Sequence, residues 1–99
     1  MAHIPPGDGE CLEGWARNYY RVIQRFSSTI TGQFFGHVHT DYFTVFYQDM
    51  KNISSKPIGV GYAAPSATTF SGLNPAFRIY EISTDGKFVS KKYSIVSCA

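Results

Sequence analysis

The apolar positions of this chain follow two different periods, and the change between them marks its architecture. From Cys11 to Phe26, the residues Leu12, Trp15, Ala16, Tyr19, Ile23 and Phe26 recur at intervals of three and four. That spacing places side chains on one face of a helix. Arg17, Asn18, Arg21, Gln24 and Arg25 take much of the other side. The pattern predicts a helix over about 11–26, weakened at Gly14 and capped at its start by Asp8 or Gly9. Ahead of it, Pro5-Pro6-Gly7-Asp8-Gly9 reads as a loop. Beyond Ser27-Ser28 the residues become β-branched and aromatic. Strands are predicted over 29–35, 41–47, 57–64, 77–82 and 87–96. In the second of these, Phe43, Val45 and Tyr47 share one face and Tyr42, Thr44 and Phe46 the other, so both faces are expected to be covered. Gly59 and Gly61 thin the third strand and signal close packing or a bulge. A long loop of small and hydroxyl residues runs from Pro65 to Pro75, and Asp85-Gly86 is a turn signal. One helix followed by about five strands predicts an α+β fold, an antiparallel or mixed sheet carrying a helix.

Composition narrows the function classes. The chain has 99 residues, of which 43% are hydrophobic and 16% aromatic. That suits one domain with a core and excludes a disordered tail. The formal charge is +2, and Lys91-Lys92 is the only basic pair, too sparse for a nucleic-acid footprint. No apolar run is long enough to span a membrane. Met1 to Gly7 lacks the basic and apolar regions of a signal peptide. Cys11 and Cys98 are the two cysteines; they can pair with each other, pair outside the chain, or stay free. Asn52-Ile53-Ser54 is an N-glycosylation sequon. Cysteines and sequon together point to an oxidising, secretory compartment.

The histidines carry the candidate chemistry. His3 precedes Ile4-Pro5-Pro6-Gly7, while His37 and His39 lie in Gly36-His37-Val38-His39-Thr40-Asp41. A strand ending at Gly36 delivers the chain to a sheet edge, and glycine permits a tight turn there. His37 and His39 are then expected to reach a common metal centre, with Asp41 as an outer partner fixing an imidazole tautomer. Spacing alone leaves a second reading open, since a His-x-His pair on a strand also serves as a surface pair. Three histidines are too few for a two-metal hydrolase, whose ions sit about 3.5–4 Å apart across a bridging group. Asp8, Asp41, Asp49 and Asp85 stand in no motif that recommends one as a bridge. Ser66, in Ala64-Pro65-Ser66-Ala67-Thr68, is not in a nucleophile elbow. Cys11, at the start of the predicted helix, fits a structural disulfide better than a reactive thiolate.

Read in order, these segments resemble the acid sphingomyelinases, within the calcineurin-like metallophosphoesterase superfamily. The resemblance rests on His3-Ile4-Pro5-Pro6-Gly7, Cys11-Leu12, Trp15, Asn18-Tyr19-Tyr20-Arg21 and Gln33-Phe34-Phe35-Gly36-His37-Val38-His39. It continues through Ala64-Pro65-Ser66-Ala67-Thr68-Thr69, Gly72-Leu73-Asn74-Pro75 and Arg78-Ile79-Tyr80. It covers His3 to about Ile82. It implies the C-terminal part of a catalytic β-sandwich flanked by helices and holding two zinc ions. By the same resemblance His3 and His37 bind one zinc and His39 the other, and activated water attacks phosphorus. The implied reaction converts sphingomyelin, drawn from a membrane surface, to ceramide and phosphocholine. Thr69, Phe70 and Asn74 fall on the implied substrate side, with Phe70 where close relatives are expected to carry tyrosine. The loop holding them is also open to a purely structural reading. Cys11 resembles a family cysteine whose disulfide partner, like the family's other four metal ligands, lies upstream. The implied full-length protein is secreted or lysosomal.

Two other readings remain at this point. One is a phosphodiesterase of the same superfamily acting on nucleotides or other small phosphodiesters. The other is a non-catalytic remnant that binds zinc weakly or pairs with another protein. The string His3 to Gly7, Cys11, Trp15 and the loop Thr68 to Pro75 favour a sphingomyelinase over a nucleotide phosphodiesterase. The absent ligands favour an inactive isolated chain.

Overall fold

A computed structural model describes residues 1–81 and the backbone of 95–97. The expected turn at Asp85-Gly86, most of the fifth predicted strand, and Cys98 lie outside the described residues. Helix α1 spans Glu13–Arg25. It is followed by strands β1 (Gln33–Phe35), β2 (Tyr42–Tyr47), β3 (Pro57–Ala63), β4 (Ala76–Arg78) and β5 (Ile95–Ser97). The fold is α+β, as the order of periods predicted.

Neither Asp8 nor Gly9 caps α1. Leu12 occupies the cap position without a side-chain bond. Asp8 instead builds a turn one step earlier, where its carboxylate accepts from the Glu10 amide and its carbonyl from the Cys11 amide. Glu13 in the first turn and Arg25 in the last complement the helix dipole. Arg17 pairs with Glu13 at 2.6 Å, one turn away.

Three strands form a mixed sheet in the order β1-β3-β2, with β1 parallel and β2 antiparallel to β3. β4 and β5 form a separate antiparallel pair. The first predicted strand is shortened to Gln33–Phe35, because residues 26–30 first close the helix through the Thr29 and Ile30 amides, both bonded to the Phe26 carbonyl. The alternation expected in β2 holds. Phe46 is buried on the helix side, but Thr44 on the same face is exposed and Phe43 on the other is 65% exposed, so neither face of β2 is covered along its whole length.

The core lies between α1 and the sheet. Ile23, Phe35, Phe46 and Ala63 are buried there with the polar Gln33. The amide oxygen of Gln33 accepts the Tyr19 hydroxyl at 3.0 Å, which satisfies the group that burial would otherwise penalise. Burial raises the Tyr19 hydroxyl pKa. Both glycine expectations are met. A Cβ on Gly61 would stand 2.8 Å from the Phe35 ring and 3.0 Å from the Phe46 ring, and one on Gly59 3.1 Å from the Gln33 amide. The register also slips between Phe46 and Tyr47, a β-bulge beside Gly59. The apolar stripe of α1 outruns this three-stranded sheet. Ile23, in its last turn, is sealed, while Leu12 is 80% and Phe26 45% exposed.

On the opposite face, Phe34, Tyr62 and Tyr80 form an aromatic cluster, with ring centroids 4.7 to 6.0 Å apart. Tyr80 and the preceding Arg78 bring the chain after β4 against that face. The element that carries the histidines is thereby held from both sides.

Candidate functional site: a histidine pair at the sheet edge

Two backbone bonds bring His3 to the end of β1. The Ala2 amide donates to the Phe34 carbonyl at 3.1 Å, and the Gly36 amide to the His3 carbonyl at 3.0 Å. Residues 2–3 therefore lie along the free edge of β1. Gly36 does not take the positive φ expected of a turn glycine, and a Cβ on it would meet the His3 ring at 3.4 Å, ordinary van der Waals contact. The turn itself is made by the histidines. His37 and His39 both have positive φ, 71° and 60°. The Val38 amide closes on the Gly36 carbonyl at 2.9 Å, so His37 is the centre of a positive-φ γ-turn, a strained form. Such strain in non-glycine residues collects at functional sites.

The turn aims His37 at His3. Nδ1 of His37 stands 3.4 Å from Nε2 of His3, and the rings meet edge to face. Two imidazole nitrogens this close need a shared proton or a cation between them. His39 does not join the pair. Its ring packs edge-on against Phe70 at 5.7 Å. The contact His37 makes is with His3, 34 positions away, rather than with His39. The reason is the positive φ at both histidines, which breaks the strand alternation that would have aligned them. Among the described residues, no group of three or more His, Cys, Asp or Glu is arranged to hold a metal ion.

The other nitrogen of His37, Nε2, faces carboxylates: Glu10 at 3.3 Å and Asp8 at 3.7 Å. Asp41, the outer partner expected from sequence, is instead ion-paired with Arg78. Asp8 also acts on Tyr42, whose hydroxyl pKa is raised by burial and then by the Asp8 charge.

The loop after β3 brings Phe70 to His39. It is closed at its base by the Ala76 amide on the Ser66 carbonyl, 2.8 Å. Ser66 and Thr68 hydroxyls bond one another and the Thr68 and Phe70 amides. At the tip lies a short 3₁₀ turn, Phe70–Gly72, flanked by Thr69. Phe70 is 71% exposed, and Thr69 and Asn74 are exposed on the same loop. A cavity of about 450 Å³ opens on the far side of His3, walled mainly by Met1, Phe34, Phe35, Ala64 and Tyr80.

No protein-family profile matches the chain. Individual relatives do. "Sphingomyelin phosphodiesterase 1" of Caenorhabditis elegans is 76% identical over 88 residues, which is 89% of this chain and 16% of the relative. The sphingomyelin phosphodiesterases of Bos taurus and Homo sapiens are 46% and 45% identical over 96 residues, each 97% of this chain and 14% of the relative. The chain belongs to the sphingomyelin phosphodiesterase family.

It spans only 14–16% of the length of these sphingomyelin phosphodiesterases. The ordered motifs read from His3 to Tyr80 therefore identified the family, while the residues they name sit in a small part of it. Of the remaining candidates, Cys11 is a free thiol of intermediate exposure. It lines an apolar cavity of about 380 Å³ with His3, Leu12 and Trp15. Asn52 is exposed in a turn where its side-chain oxygen accepts the Ser54 amide at 2.9 Å. No helix among the described residues is long and apolar enough to cross a membrane. Sequence reasoning missed Glu10 and Arg78 and gave Asp8 a different role. Only the presence of two acidic residues between Gly7 and Cys11 hinted at the first.

Proposed function

We propose that this segment supplies part of the metal site of a zinc-dependent hydrolase that cleaves sphingomyelin to ceramide and phosphocholine. The observation that carries the reading is the 3.4 Å approach of His37 Nδ1 to His3 Nε2, in a chain 76% identical to a sphingomyelin phosphodiesterase. Two nitrogens bound to one tetrahedral zinc at ~2.0–2.1 Å stand roughly 3.3–3.4 Å apart. His3 and His37 would share one zinc, and His39, held by Phe70, would bind the second. Zinc in such a site lowers the pKa of water and neutralises charge growing on phosphate oxygens. The chain's own contribution is positional: β1 and residues 2–3 set the histidine pair, and the Ser66–Ala76 loop sets Thr69, Phe70 and Asn74 toward a lipid phosphodiester. The reading extends to a calcineurin-like sandwich, a secreted or lysosomal setting, a sugar on exposed Asn52 and a disulfide from Cys11.

The test is a chimaera in which this segment replaces its counterpart in the Caenorhabditis elegans relative. Zinc-dependent release of phosphocholine from sphingomyelin is expected, and its loss in the His37→Ala chimaera. A chimaera that ignores sphingomyelin but hydrolyses nucleotide phosphodiesters would replace this reading with the alternative.

A further inference from the structure

We propose that Asp8 and Glu10 are positioning residues for His37, holding its Nε2–H so that the Nδ1 lone pair faces His3. The inference rests on the reading of His3 and His37 as a metal-binding pair, but its first consequence exists without any metal.

A neutral imidazole carries one proton, and the partner of one nitrogen decides the role of the other. Here the two nitrogens of His37 see opposite surroundings. Nδ1 faces another imidazole nitrogen at 3.4 Å. Nε2 faces carboxylate oxygens of Glu10 and Asp8 at 3.3 and 3.7 Å. Carboxylates only accept, so the proton belongs on Nε2 and the lone pair on Nδ1. The arrangement is built rather than incidental. The side chains of Asp8 and His37 are 22% and 23% exposed, which protects their interaction from solvent screening. Asp8 is fixed by its own loop: its amide bonds the Pro5 carbonyl, its carboxylate takes the Glu10 amide, and its carbonyl takes the Cys11 amide. The same loop begins at His3, so one short segment carries one histidine of the pair and orients the other. Glu10 is nearer, at 3.3 Å, but 75% exposed, so solvent screens its contact more than that of Asp8.

The experiment compares the chain with Asp8→Asn/Glu10→Ala, and with Glu13→Gln as a control that removes one carboxylate far from His37. Nitrogen-15 NMR of the metal-free protein reads the His37 tautomer, and calorimetric titration with Zn²⁺ alone reads affinity. His37 is expected to be a single Nε2–H tautomer in the parent and a mixture in the double variant. Zinc affinity is expected to fall roughly 10–100-fold, with Glu13→Gln matching the parent in both. Asn at position 8 can still accept the Glu10 amide, and Glu10→Ala is measured alone as a second variant that changes only an exposed side chain, with a partial tautomer shift expected. An unchanged tautomer in the double variant overturns the proposal, as does an equal affinity loss in Glu13→Gln. A parent that takes up no zinc yet shows the tautomer shift would sink the metal reading and leave the positioning role standing.

Discussion

Arg78 is ion-paired with Asp41, and its guanidinium lies against the rings of both Tyr62 and Tyr80. The two side chains are 7% and 17% exposed, and the pair joins β4 to the residue before β2, two positions beyond His39. Burial works against the guanidinium charge, but Asp41 and Tyr80 outweigh it and hold the Arg78 pKa above its ordinary value. Arg78→Ala would leave the Asp41 carboxylate largely buried without its partner. A loss of ~3–5 kcal/mol is expected, read as a fall in the urea midpoint at unchanged slope. A change under 1 kcal/mol would show that water reaches the carboxylate freely.

Two glycines should respond in opposite directions to the same substitution. Gly61→Ala puts a methyl 2.8 Å from Phe35 and 3.0 Å from Phe46, and overpacking of this kind costs about 1–3 kcal/mol. Gly14→Ala meets nothing within 4 Å in the first turns of α1 and should stabilise by up to about 1 kcal/mol. Thermal melts of the two variants check the pair together.

Tyr20 is expected to matter for its hydroxyl alone. It donates to the Tyr47 carbonyl at 2.5 Å and accepts the Tyr47 amide at 2.7 Å, covering both main-chain groups at the bulge. Tyr20→Phe keeps the ring and strands those groups, for a loss of ~1–3 kcal/mol. Faster amide exchange at Tyr47 would locate the effect.

The histidine pair predicts non-additive metal binding. His3→Ala and His37→Ala should each remove most zinc uptake by this chain, and the double variant should do no more, because both act on one site. His39→Ala should leave that uptake in place, since His39 contacts Phe70 rather than the pair. Calorimetric titration of the four proteins gives the answer. Equal loss on removing His39 would mean that all three rings share one ion.

The isolated chain is expected to show no sphingomyelin hydrolysis and to bind a hydrophobic dye. Trp15, Phe43, Phe70 and Phe77 are all substantially exposed, and two paired histidines do not complete a metal site. Measurable zinc-dependent turnover by the purified chain, or an absence of dye binding, would contradict this.

The sequence by itself determined the helix, the run of strands that follows it and the family. Local periodicity is written in neighbouring residues: Ile23 falls on the α1 stripe, and Gly59 and Gly61 could be read as points of close approach before any partner was known. The motif order from His3 to Tyr80 was legible for the same reason, because each motif is a short run. Tertiary structure decided what the runs touch. His37 and His39 looked like partners because they are two residues apart, yet both have positive φ, which is not strand geometry, and His37 meets His3 from across the sheet edge while His39 packs on Phe70. Asp41 looked like the outer partner of the histidines because it is close in sequence. Arg78, which approaches only once β4 folds back over Tyr62, claims it, and Asp8 and Glu10 take the place beside His37. Side-chain chemistry could be read residue by residue, but contacts depend on where the backbone carries each group, and that is set by long-range packing.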